Sequence, residues 1–207
     1  MYYSKKNTFV TQFFTWYISY ILRKDFSAYH FNKIGIKPDE AVLLLANHFS
    51  WWDGFLLFQL NKLLFRKRFH VLIGHEDYCR HWYLKYLGSF AAENNKKDVV
   101  ETLIHAGKLL DDPANLVLVF PQGKSRANPV ASINFEKGII QLINSSKKKF
   151  QIVFSASFAD YYGKRKPTVN TYLAVWEAEE YMSLQLLKSE YNKHYNYAIR
   201  NQDRAAL

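Results

Sequence analysis

Residues 41–53 read AVLLLANHFSWWD: six apolar residues without a polar break, then Asn, His, Ser and Asp set around two tryptophans. Such a run is too short for a buried helix and too continuous for a strand wetted on one face, so it suits a strand covered on both faces. Strand-like runs recur at 70–73 (HVLI), 116–120 (LVLVF), 151–156 (QIVFSA) and 171–175 (TYLAV). Between them the spacing turns helical. Residues 99–110 put Val99, Val100, Leu103, Ile104 and Leu110 on one face and stop before Asp112-Pro113, where proline cannot continue a helix. Residues 136–143 and 177–199 are two further helix candidates. This alternation predicts an α/β fold with a largely parallel or mixed central sheet flanked by helices. No internal repeat and no long linker divides the chain, so 38–207 reads as one domain behind an N-terminal segment, 1–37.

Composition narrows the function. With 207 residues, 49% of them apolar and 22% charged, the chain can bury a core and is not disordered. Its one cysteine, Cys79, excludes an internal disulfide and a cysteine-built metal site, and fits a reducing compartment. Lysine and arginine exceed acids by 28 to 18, a net charge of +10, so the surface favours polyanions: an anionic membrane, a nucleic acid, or an acidic substrate carrier.

The aromatic residues tilt this choice toward lipid. Residues 8–22 read TFVTQFFTWYISYIL, between Lys5-Lys6 and Arg23-Lys24. Wound as a helix, Thr8, Thr11, Gln12, Thr15 and Ser19 form a polar stripe opposite Phe9, Phe13, Trp16, Tyr17 and Tyr20. The segment is shorter than the roughly 20 residues that cross a bilayer, and no small-residue cleavage pattern follows it. It reads as an amphipathic helix lying among the headgroups of an anionic membrane, with packing on its own domain as the alternative. The lysine run 147–149 and the basic run 164–166 read as solvated loops that add to membrane attraction. The expected location is peripheral, on the cytoplasmic face.

In an open α/β sheet, reactive groups gather beyond the carboxyl ends of the strands, where His48 follows the first buried run. An imidazole there, with a carboxylate to fix its tautomer, is a general base. His48 and Asp53 cannot meet on one helix, because five residues rotate the side chain by about 500°, leaving it about 140° away. They meet if His48 sits in the strand-to-helix turn and Asp53 one turn into the helix, with Asn47 and Ser50 as turn and cap residues. After the run 116–120 comes Pro121-Gln122-Gly123-Lys124-Ser125-Arg126, a tight turn carrying two cations to the same sheet edge if the strands are parallel. Asn47, Gln122, Gly123, Lys124 and Arg126 are the candidate substrate-binding residues, for an acceptor bearing a phosphate or carboxylate. Backbone N–H groups around Gly123, or at the start of the helix after His48, are candidates for stabilising an oxyanion.

The Asn-His-x4-Asp block, followed about seventy residues later by Phe-Pro-x-Gly, resembles the glycerolipid acyltransferase family of the lysophosphatidic acid acyltransferase type. The similarity runs from about Ala41 to Ser157. It implies a membrane-bound α/β enzyme that moves an acyl chain from acyl-CoA or acyl carrier protein to the hydroxyl of a lyso-lipid or glycerolipid, with no cofactor beyond the donor. His48 falls on that family's base and Asp53 on its partner. Residues 88–94 fall on its second block, Gly-x-x-Phe-x-x-Arg, but Ala91 stands at the Phe position and Asn94 at the Arg position. In the third block Gln122 replaces the usual Glu, and the Arg is displaced by one residue, to Arg126. The last block is approximated by 152–156. The acid–base pair is intact, while two groups that would grip a glycerol phosphate are altered, which leaves an amino-acid-linked lyso-lipid open as the acceptor.

Other readings use the same residues. His70, His75, His81 and Cys79 suggest a metal, yet no pair has helix-face spacing beside a matched partner. Trp51 and Trp52 suit a substrate-tunnel wall or the membrane side. Asn144-Ser145-Ser146 matches a glycosylation pattern and nothing else points to secretion. A non-catalytic lipid-binding relative is the second functional class. The third, a basic nucleic-acid binder, lacks a recognised motif, and its basic clusters are scattered rather than striped.

Overall fold

The computed structural model describes residues 1–93, 95–127, 129–177 and 182–205. The run at 41–46 forms β2 (Ala41–Ala46), every residue of which is buried. It lies between β5 (Asn115–Val119) and β6 (Phe150–Asp160), parallel to both, with Leu43 opposite Val117 on one side and Ile152 on the other. β3 (Arg68–Leu72) and the two-residue β4 (Ser89–Phe90) extend the parallel set beyond β5. β7 (Thr168–Trp176) pairs antiparallel with β6, and β1 (Ala28–Phe31) pairs parallel with β7. The result is one seven-stranded mixed sheet in the order β1-β7-β6-β2-β5-β3-β4, flanked by helices.

Period-two alternation along β2 divides its side chains between two cores. Leu43 and Leu45 meet residues of α4 (Lys96–Leu109), α5 (Gly138–Asn144) and α6 (Leu184–Ala205), among them Ala106, Leu142 and Tyr191. Val42, Leu44 and Ala46 meet Leu57 and Leu60 of α2 (Asp53–Leu60), then Phe65 in the π-turn that ends it. A third cluster joins Ile18 and Leu22 of α1 (Thr8–Asp25) to Phe55 and Leu56 of α2. The short α3 (His75–Arg80) and a 3-10 turn (Leu84–Leu87) link β3 to β4.

Several expectations need adjusting. β1 and β4 carry no run long enough to stand out; β1 lies within the segment 1–37, so that segment supplies a strand to the sheet as well as a helix. β7 continues to Trp176, and the last helix begins at Leu184 rather than at Glu177, the expected stretch at 178–181 lying outside the described residues. α5 starts at Gly138, because the Glu136 N–H is tied to the Pro121 carbonyl at 2.8 Å in the preceding loop.

Candidate active site

Where β2 ends, Asn47 turns inward. It is 3% exposed, its Nδ2 donates to the Ser157 carbonyl at 2.9 Å, and its Oδ1 accepts from the Ser157 N–H at 2.8 Å. That two-way clamp fixes the exit of β2 against β6. Asn47, a candidate substrate-binding residue, has both ends of its amide paired with the Ser157 backbone in this fold.

His48 is gripped at three points. Its N–H donates to Gln122 Oε1 at 2.7 Å, its carbonyl accepts from the Arg126 N–H at 2.9 Å, and its ring stacks on Phe120 with centres 4.4 Å apart. The loop after β5 therefore fixes the histidine backbone while Phe120 sets the ring plane. Ring Nδ1 lies 2.8 Å from Asp53 Oδ2. The carboxylate accepts only, so neutral imidazole carries its proton on Nδ1, and Nε2 keeps its lone pair. Among the described residues Nε2 has no hydrogen-bond partner.

Asp53 is the first residue of α2 rather than one turn inside it. Its Oδ2 also accepts from the N–H groups of Phe49 and Ser50, at 2.7 and 2.9 Å, so one oxygen shapes the whole turn. The other, Oδ1, is buried without a partner among the described residues. The side chain is 2% exposed against 26% for His48. Burial pushes the Asp53 carboxyl above its usual range, and the hydrogen bonds from His48, Ser50 and Phe49 offset this only in part. Burial also holds the Tyr29 and Tyr191 hydroxyls well above the ordinary phenol value, the Asp53 charge adding to both, so each stays protonated.

His48 borders a cavity of about 1400 Å³. Its apolar wall includes Phe55 and Phe58 from α2, Phe69 from β3, and Leu84 and Leu87 from the 3-10 turn. Three lysines also line it: Lys96 at the start of α4, Lys124 after β5, and Lys137 just before α5. None of the three forms an ion pair among the described residues. The second block supplies Ser89, Ala92 and Glu93 to the same wall, while Asn94 lies outside the described residues. Gly88, at φ 90°, admits no side chain, since a Cβ there would sit 1.9 Å from the Phe69 carbonyl oxygen.

The remaining candidates divide. Gly123 and Lys124 line the cavity. Gly123 has φ 67°, the left-handed region that glycine adopts without strain. Gln122, expected to contact substrate, spends its Oε1 on His48, and the Arg126 side chain is exposed outside the cavity lining. Most expected oxyanion donors are also committed: the Gly123 N–H closes a turn on Phe120, Phe49 and Ser50 bind Asp53, and Trp52 binds Ser50 Oγ. His75 Nε2 and Cys79 Sγ do share a helix face, 3.5 Å apart on α3, but no three possible metal ligands gather among the described residues. Sequence reasoning missed Lys96 and Lys137, which no motif marks and which only the packing of α4 against α5 brings to the cavity.

No curated protein matches the chain. A family model described as Acyltransferase matches residues 30–154, from within β1 to within β6, and the match takes in His48, Asp53 and the loop after β5. Because that model spans more than half of the chain and the site, the chain belongs to the acyltransferase family.

Proposed function

We propose that this protein moves a fatty acyl chain from an acyl thioester, acyl-CoA or acyl carrier protein, to the hydroxyl of a lyso-lipid or glycerolipid at the cytoplasmic face of an anionic membrane. Family membership supports acyl transfer in glycerolipid synthesis. The observation that carries the finer reading is the 2.8 Å contact between His48 and a buried carboxylate at the wall of a largely apolar cavity.

His48 Nε2 takes the proton of the acceptor hydroxyl as its oxygen attacks the thioester carbon. The tetrahedral intermediate then collapses, the C–S bond breaks, and the leaving sulfur recovers the proton from the imidazolium. Asp53 holds Nδ1–H throughout and stabilises the transient positive charge. Positioned base catalysis supplies about 10²–10⁴-fold, with orientation of the two substrates adding to it. The phenylalanine and leucine wall suits an acyl chain, and Lys96, Lys124 and Lys137 suit an acidic group on acceptor or donor. No helix among the described residues is long and apolar enough to cross a membrane.

The test supplies purified protein with labelled acyl-CoA or labelled acyl carrier protein and an extract of membrane lipids. Label in an extracted lipid product is the expected result, and the product names the acceptor. Tight lipid binding without transfer from either donor would leave the non-catalytic reading standing instead.

A further inference from the structure

Behind the His48–Asp53 pair, on the side of the sheet that α2 covers, lies a row of hydroxyls. Val153 of β6, with Val169 and Leu173 of β7, belongs to the cores on that side, so period-two alternation turns Ser155, Ser157 and Thr171 to the same face. They are 0%, 5% and 2% exposed. Ser157 and Thr171 stand opposite each other in the β6–β7 register, their hydroxyl oxygens 2.8 Å apart, and the Thr171 hydroxyl donates to Tyr29 of β1 at 3.5 Å. Thr171 has one proton and gives it to Tyr29, so Ser157 is the donor to Thr171, and the row runs in one direction, from Ser157 to Tyr29.

The row ends on an uncommitted proton. Among the described residues nothing accepts from the Tyr29 hydroxyl. Two further groups are uncommitted there: Asp53 Oδ1, at the start of α2, and Ser155 Oγ, both buried without a partner among the described residues. The Asp53 charge reaches the Tyr29 hydroxyl and helps to keep it protonated. The same charge turns the O–H dipole toward the carboxylate, which leaves the phenol oxygen to accept from Thr171, as it does. A donor, an acceptor and a hydroxyl able to be either are the set that one buried water joins, since such waters make about three hydrogen bonds.

We propose that Tyr29 is a positioning residue for Asp53: its hydroxyl, backed by Thr171 and Ser157, reaches Asp53 Oδ1 through one buried water shared with Ser155. Asp53 Oδ2 then serves the His48 ring and the turn, while Oδ1 is held from behind, so the carboxylate cannot rotate away from the imidazole. The aligned hydroxyl dipoles also favour the charged carboxylate against its burial. Tyr29 does not line the cavity and acts only through Asp53. All four hydroxyls lie outside residues 30–154, the stretch that the acyltransferase model matches. The support therefore comes from the flanks of that stretch, β1 on one side and the β6–β7 pair on the other.

The effect on rate rests on the acyl-transfer reading; the hydroxyl link does not. The titratable groups that meet Asp53 are His48 from its own turn, Tyr29 from β1, and Tyr191 from α6, whose hydroxyl donates to the Ser155 carbonyl at 2.7 Å and stays protonated. From α1, the apolar Ile18 and Leu22 pack on α2. The experiment titrates the pair in the full chain by nitrogen NMR of the His48 ring and records the pH–rate profile of acyl transfer. Tyr29→Phe keeps the ring and removes a donor aimed at the carboxylate, so the pair holds its proton more tightly. Its apparent pKa should rise by about one pH unit, making kcat about tenfold lower on the acid limb, equal to the wild type on the plateau, with KM unchanged. Thr171→Val should move both measurements in the same direction by less, and it decides the matter if Tyr29→Phe does not fold. Tyr172→Phe, which loses a β7 hydroxyl bonded to Gln202 on the other side of the sheet, should move neither. A wild-type titration in folded Tyr29→Phe, or a loss of kcat equal at every pH, would overturn the positioning role. A crystal structure without a water between Tyr29 and Asp53 Oδ1 would overturn the bridge. A raised titration in a protein whose wild type transfers no acyl group would uphold the link and overturn acyl transfer.

Discussion

At the amino ends of β2, β3 and β5, Lys67 Nζ donates to the carbonyls of Pro113 and Pro38 at 2.6 and 3.3 Å, and Arg68 pairs with Asp112. At the carboxyl ends of the same strands, Lys96, Lys124 and Lys137 stand around a cavity without ion pairs among the described residues, and Asp53 keeps an oxygen unpartnered. The histidines divide in the same way. His70 approaches Asn115 Oδ1 at 3.3 Å and His194 the Tyr172 carbonyl at 3.0 Å, and burial lowers the pKa of both, so neither is poised to hold a proton. His48 alone among the three faces a carboxylate. One edge closes its polar groups on each other; the other, beside paired groups such as Asn47 and Gln122, leaves three lysines, one Asp53 oxygen and His48 Nε2 open among the described residues, an arrangement suited to binding and proton transfer.

The contrast breaks most sharply at the base. His48→Ala should lower acyl transfer by about 10⁴-fold, measured as label incorporated under saturating donor, with the circular dichroism spectrum retained. Activity near that of the wild type would mean that the open edge is not the reacting one.

Asp53→Asn is expected to cost about 10³-fold, because an amide lets the imidazole take the other tautomer. Its effect on stability should run the other way. Burial raises the Asp53 pKa in the folded protein, so the folded chain holds that proton more tightly than the unfolded one. Stability from this group is therefore full below the ordinary carboxylate range and declines as pH rises through the raised folded value. The asparagine variant has no such decline. Melting curves across that interval should show its melting temperature rising relative to the wild type's as pH rises, and a relative fall would refute the assignment.

A smaller effect is expected at Gln122, whose Oε1 accepts the His48 N–H and which does not line the cavity. Gln122→Ala should lower kcat about tenfold with KM nearly unchanged, because the histidine loses a hydrogen bond that places it and the substrate loses no contact. Gln122→Glu supplies the same acceptor and should restore kcat. Its added negative charge near the imidazole should move the acid limb of the pH–rate profile upward. A rise in KM for the alanine variant would return Gln122 to the substrate-binding set.

Much of this was legible along the chain because it is local. The buried runs at 41–46 and 116–120 report strands through their own apolar continuity, and the five-residue gap from His48 to Asp53 limits where both can sit. What stayed hidden depends on distant partners. Asn47 looks like any polar turn residue until Ser157, 110 positions later, is seen to use both ends of its amide. Gln122 reads as a binding group until its oxygen is found on the His48 N–H, 74 positions back. β4 is two residues long and paired with β3, so no periodicity could announce it.

The smallest predicted effect tests the closed edge. Lys67→Met keeps the length and apolar stem of the side chain and removes the ammonium that bridges the turns before β2 and β5. The site is partly solvated, so water recovers some of what the two carbonyls lose, and the expected destabilisation is about 1 kcal/mol in denaturant unfolding. Transfer by the remaining folded protein should equal the wild type's, since the cavity lies at the other end of these strands. Should Lys67→Met lower kcat while leaving stability untouched, the division between a structural edge and a reacting edge would be wrong, and the amino ends of β2, β3 and β5 would have to be treated as part of the functional surface.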